Sequence, residues 1–156
     1  MPSSPAAFRR SPPLARVAAA LKKGALRIVA FGSSTTEGVG ASAPAFTYPA
    51  RLEAGLRAAL PGVAVTVVNL GQGGQEAEDF DRRLGEVIDA RPDLVIFQTG
   101  TNDAIRAVPL ATFEALTRKD IAALRAAAID IVLMEPQYSR AVTDAADRSE
   151  EHTSEL

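Results

Sequence analysis

An α/β domain built on a parallel sheet is the fold class this 156-residue chain predicts, and three observations predict it. Its strand-like runs are apolar throughout rather than alternating, the mark of strands covered on both faces. The stretches between them carry apolar residues at helical spacing. Its polar, glycine-rich motifs all sit just after those runs, at the carboxyl ends of strands, where ligands collect in open parallel sheets. The expected architecture is a three-layer α/β/α sandwich.

Taken in order, residues 1–23 read as an N-terminal extension, a Pro/Ser-rich start followed by a short amphipathic helix. Leu26–Phe31 is a short apolar run closed by Gly32, hence a buried strand. Tyr48, Leu52, Leu56 and Ala59 recur at helical spacing, and Pro61-Gly62 ends that helix. Val63–Val68 is β-branched and apolar, a second strand. Phe80, Leu84, Val87 and Ile88 mark the next helix, stopped before Pro92. Leu94–Phe97 is the third strand, and Phe113, Leu116, Ile121 and Leu124 form one helical stripe. Ile129–Met134 is the fourth strand, ended by Glu135-Pro136. The expected sheet is of flavodoxin-like order and incomplete at its C-terminal end.

Composition removes several function classes. A net charge of −2 gives no basic field for nucleic acid, and 5% aromatic residues leave little surface for base stacking. There is no cysteine, so disulfides and thiolate metal sites are excluded, and a single histidine makes a histidine-based zinc centre implausible. No apolar run reaches the length of a membrane span. Arg9-Arg10 precede an apolar stretch, but Arg16 interrupts it and Lys22-Lys23 close it, so it is a poor secretory signal and the expected location is cytoplasmic.

Three motifs carry the chemistry. Gly32-Ser33-Ser34-Thr35-Thr36-Glu37-Gly38 follows the first strand, Gly71-Gln72-Gly73-Gly74 the second and Gly100-Thr101-Asn102-Asp103 the third. The first lacks the lysine of a phosphate-binding P-loop. The second puts Glu76 where a dinucleotide fingerprint needs its last glycine. Singly, each of these two loops reads more readily as a tight turn than as a site, and Asn-Asp is a common turn and capping pair. Together they offer a serine hydroxyl, glycine amides and a carboxamide, the parts of a nucleophile and an oxyanion hole.

In this order and spacing the three motifs resemble those of the SGNH hydrolases, the GDSL esterase/lipase family. That family opens on Gly-Asp-Ser-x-Thr-x-Gly. Here Ser33 stands in place of the aspartate, which touches the scaffolding of the turn and leaves the nucleophile at Ser34. A glycine after the second strand matches Gly74, and Gly-x-Asn-Asp matches Gly100–Asp103 in full. The resemblance covers roughly residues 26–140. It implies a serine esterase acting on small acyl or acetyl esters. Ser34 would be the nucleophile, and the Ser34 N–H, the Gly74 N–H and the Asn102 side chain would form the oxyanion hole. It implies neither metal nor organic cofactor, and no partner beyond a small-molecule ester. The competing expectation is a flavodoxin-like module that binds phosphate, nucleotide or glycan at the same strand ends without catalysis.

The family closes on Asp-x-x-His, which supplies the base. The only histidine here is His152, with Ser149 three residues before it. The segment Arg148–Leu156 is the in-frame translation of AGATCGGAAGAGCACACGTCTGAACTC, a common short-read sequencing adapter. Residues 24–147 therefore read as a partial hydrolase domain and 148–156 as a non-native tail, and the chain in this form is expected to be inactive.

Overall fold

The computed structural model of the chain describes residues 13–136. The helix α1 (Ala15–Lys23) leads into β1 (Ala25–Phe31). After β1 come a short helix α2 (Ser34–Glu37), a 3-10 turn (Pro44–Phe46), helix α3 (Tyr48–Ala59) and strand β2 (Ala64–Asn69). Helix α4 (Ala77–Asp89), strand β3 (Leu94–Gln98), helices α5 (Thr101–Ile105) and α6 (Leu110–Ala126), and strand β4 (Asp130–Met134) complete the described chain.

The four strands form one sheet of order β2-β1-β3-β4, and every neighbouring pair is parallel. The chain steps outward from β1 to β2, then returns past β1 to β3 and on to β4. This reversal is the flavodoxin-like order the sequence predicts, and it leaves a switch point between β1 and β3.

Alternation along the strands sorts the core into two layers. Leu26, Ile28, Val65 and Leu94 pack with Ala20 of α1, against partly buried Leu56 and Leu60 from α3 and its end. Val29, Phe31, Val95 and Phe97 face the other way, onto Phe80, Leu84 and Val87 of α4 and Leu124 of α6. With α1 and α3 on one face and α4 and α6 on the other, the three-layer sandwich is complete in kind. Near the carboxyl ends of β1 and β3, Phe31, Phe80 and Phe97 meet with ring centroids 5.1–5.3 Å apart. This aromatic cluster floors the switch point, and its edge-to-face contacts favour a fixed geometry.

The predicted strands match the observed ones to within a residue or so. The differences lie in the motifs. The serine motif and the Asn-Asp motif, expected as loops, each wind into a single short helix, α2 and α5. The segment before Pro13, the residues after Pro136, the proposed tail and His152 lie outside the described residues.

Candidate active site

All three motifs emerge at the carboxyl edge of the sheet. Ser34 is the first residue of α2, with Ser33 as the residue before it. Among the first-turn amides of a helix, which have no partner within it, the Ser33 N–H goes to the Gln98 side chain. Ser34 is half-buried.

The glycine loop lies against this turn. A Cβ placed on Gly73 would be 3.8 Å from the Cβ of Ser34 and 2.9 Å from Oε2 of Glu37. The Gly73 N–H donates to that same Glu37 oxygen at 2.7 Å, and the Gln72 N–H donates to the Gly32 carbonyl at 2.9 Å. Gly74 has φ +77°, a left-handed backbone that a side chain would strain. An added Cβ there would meet only the Arg106 guanidinium, at an ordinary 3.6 Å. Backbone conformation rather than crowding is therefore what the protein itself asks of a glycine at 74.

The third motif clamps the second. Asn102 Nδ2 donates to the Gln75 carbonyl at 2.7 Å, and Arg106 Nη1 donates to the Gly74 carbonyl at 2.7 Å and to Glu76 at 2.8 Å. Asp103 accepts the Ala77 N–H at 2.9 Å and so ties α5 to the start of α4. Burial pushes the Asp103 carboxyl up from its ordinary pKa, and the Ala77 hydrogen bond partly offsets this. From the far side Arg83 donates to the Leu70 carbonyl and to the Gln75 side chain. The loop from Leu70 to Gln75 is thus gripped by side chains from α2, α4 and α5.

The serine motif and the glycine loop are hydrogen-bonded through Glu37 and the Gly32 carbonyl, and the glycine loop and Asn102 are hydrogen-bonded. A carboxamide nitrogen carries two hydrogens. One of Asn102's serves Gln75, and among the described residues the second has no partner. Such an arrangement can bind the oxygen of a carbonyl group beside a serine hydroxyl. A cleft of about 560 Å³ opens next to it on the β2 side, lined by Glu37, Pro44, Thr47, Glu53 and Asn69 among others. Neither Ser34, Gly74 nor Asn102 lines it. Among the described residues no group of three or more His, Cys, Asp or Glu side chains could hold a metal ion.

Sequence reasoning missed Gln98, Arg106 and Glu37. Gln98 had a signal, a polar residue ending an otherwise apolar strand. Arg106 had a weaker one, a cation one helical turn after Asn102.

The profile of the non-GDSL lipase-like family matches residues 2–152. No protein of curated description matches the chain. Among solved structures, one assigned to the lipolytic proteins of the G-D-S-L family, from Desulfitobacterium hafniense, superimposes with a TM-score of 0.66 at 27% identity. That match covers 83% of this chain and 70% of the other. AlinE4, an SGNH-hydrolase family esterase, gives 0.64 at 27% identity, over 82% of this chain and 72% of its own. Axe2, an acetylxylan esterase from Geobacillus stearothermophilus, gives 0.62 at 25% identity, over 80% and 73%. With the motifs, the strand order and a family profile spanning nearly its whole length in agreement, the chain belongs to the non-GDSL lipase-like family of SGNH hydrolases.

Proposed function

We propose that the protein is a serine ester hydrolase of small acyl or acetyl esters, with Ser34 as its nucleophile. Ser34 Oγ attacks the ester carbonyl carbon and gives its proton to a base. The carbonyl oxygen becomes an oxyanion, received by the Ser34 N–H, the Gly74 N–H and the second hydrogen of Asn102 Nδ2. Collapse expels the alcohol, which takes the proton back from the base. Water then releases the acyl group from Ser34 by the same steps in reverse. Each oxyanion donor is worth about 3 kcal/mol of transition-state stabilisation in such sites.

The observation that carries this reading is the hydrogen-bonded junction of the three motifs at the switch point, with Glu37 and the Gly32 carbonyl bound to the glycine loop from one side and Asn102 and Arg106 from the other. The similarity to Axe2 adds to it. That enzyme is known also as catalytic mutants in which a serine or an aspartate is replaced by alanine.

The described residues contain no histidine. The base is proposed to come from an Asp-x-x-His segment in the native sequence beyond Asp147, with 148–156 a foreign tail. On this view turnover by the present chain is near background. Hydrolysis of 4-nitrophenyl acetate, compared between this chain and one continued by its native gene, tests it. The continued chain should gain on the order of 10⁴-fold, the scale of losing a triad member. His152→Ala should change nothing. A nucleotide that raises the melting temperature while no ester is cleaved by the continued chain would point to a binding module instead.

A further inference from the structure

We propose that Gln98 is the positioning residue of the nucleophile. From the end of β3 it fixes α2, and with it Ser34, through one side-chain oxygen that accepts hydrogen bonds from Ser33 and Thr36. This rests on the reading of Ser34 as the nucleophile and adds the residue that orients it.

Gln98 is 2% exposed, and its side chain lies beneath α2. Its Oε1 accepts from the Ser33 N–H at 3.0 Å, from Ser33 Oγ at 3.2 Å and from Thr36 Oγ1 at 3.2 Å. A backbone N–H can only donate, so the amide orientation is fixed and Nε2 must point away. There it donates to Thr101 Oγ1, at 3.4 Å. The single Thr36 hydroxyl hydrogen is spent on Gln98, so the 3.4 Å contact between Thr36 and Tyr48 has the tyrosine as donor. The result is a directional chain, Tyr48 to Thr36 to Gln98, that joins α3, α2 and β3. Gln98 continues it to Thr101, next to Asn102. One carboxamide therefore spans both halves of the site, the nucleophile's turn and the start of α5.

Two features of the sequence become intelligible. A Cβ on Gly32 would overlap Thr36 Oγ1 and stand 2.7 Å from Gln98 Oε1, so the glycine makes room for the network. Ser33, 3% exposed, supplies a hydroxyl hydrogen to Gln98 Oε1. The aspartate of the family motif would put an acceptor-only carboxylate against that oxygen in a buried place, which is costly. Ser33 and Gln98 are a matched pair, and restoring the family's aspartate here should harm the site.

The test is site-resolved amide hydrogen exchange on the full chain as parent, Gln98→Leu, Gln98→Glu, Ser33→Ala and Ser33→Asp. Glutamate keeps the acceptor oxygens, whereas leucine keeps only the bulk. In Gln98→Leu and Ser33→Asp the Thr36, Glu37 and Gly38 amides, which bond the Ser33 and Ser34 carbonyls, should exchange about tenfold faster while those of β1 and α4 hold. Gln98→Glu should return to near the parent, and Ser33→Ala should lie between. In the gene-continued enzyme, Gln98→Leu should lower kcat with KM nearly unchanged. Unaltered α2 amides in Gln98→Leu, acceleration spread evenly over all amides, or Ser33→Asp as protected as the parent would each overturn the proposal. Should Gln98→Leu fail to fold, Ser33→Asp against Ser33→Ala decides it. A Ser34→Ala variant that still turns over ester defeats the nucleophile reading alone, leaving the exchange result to stand by itself.

Discussion

In the proposed mechanism Asn102 has two tasks set by one carboxamide. One hydrogen holds the glycine loop through the Gln75 carbonyl, and the other would be offered to the oxyanion. Asn102→Ala should therefore cost about 10²- to 10³-fold in kcat in the gene-continued enzyme, read from 4-nitrophenyl acetate kinetics. Asn102→Asp should be no better, because a carboxylate has no hydrogen for either task. That Ser34, Gly74 and Asn102 are candidates was legible in the sequence, since each belongs to a motif in which side-chain type and spacing carry the chemistry. Gln98 and Arg106 were not. Gln98 acts on a backbone amide 65 residues earlier and Arg106 on a carbonyl 32 residues earlier. No local spacing announces such partners, and only the β1–β3 pairing and the wrap of α5 over the glycine loop bring them within reach.

Among the elements, the α4–α6 contact carries a titratable oddity. Asp120 of α6 is fully buried, and among the described residues neither carboxylate oxygen has a hydrogen-bond partner. Burial first, then the neighbouring Asp81 of α4, pushes it up to about 7, and Lys119 only partly offsets this. Lys119 instead pairs with Asp81 at 2.6 Å and holds that carboxyl below its usual range. Asp120 thus binds its proton more tightly folded than unfolded. The stability it gives is intact below about pH 4 and is lost as pH rises toward 7 and beyond. Chemical unfolding at pH 5 and pH 8 should differ by roughly 2 kcal/mol in the parent, with the higher stability at pH 5, and the difference should shrink in Asp120→Asn. The long elements were legible because their periodicity runs over a full strand or several helical turns. The short helices α2 and α5 span only four and five residues, too few for any period to show. Helix α4 begins before its first large apolar residue because Glu76 and Asp79 form a capping box there.

For the molecule as a whole, the parallel sheet covered on both faces follows from the succession of buried strands and amphipathic helices, and the comparisons support an ester hydrolase at the level of the family. Where β4 stands is a fact of the assembled sheet. Among the described residues it pairs with β3 alone, and Val132 and Leu133 are 40% and 53% exposed. An apolar edge of this kind invites association. Leu133→Lys should therefore reduce light scattering at a given concentration without lowering the melting temperature. If residues 148–156 are a foreign tail, as proposed, removing them should shift that temperature by no more than about 2 °C. A larger drop would make the tail part of the fold. The most direct test of the account is a comparison of Ser34→Ala with Ser33→Ala in the gene-continued enzyme, measured as 4-nitrophenyl acetate turnover. The account predicts that Ser34→Ala falls to background, while Ser33→Ala, which keeps its backbone N–H on Gln98, retains substantial activity. A dead Ser33→Ala beside an active Ser34→Ala would contradict it.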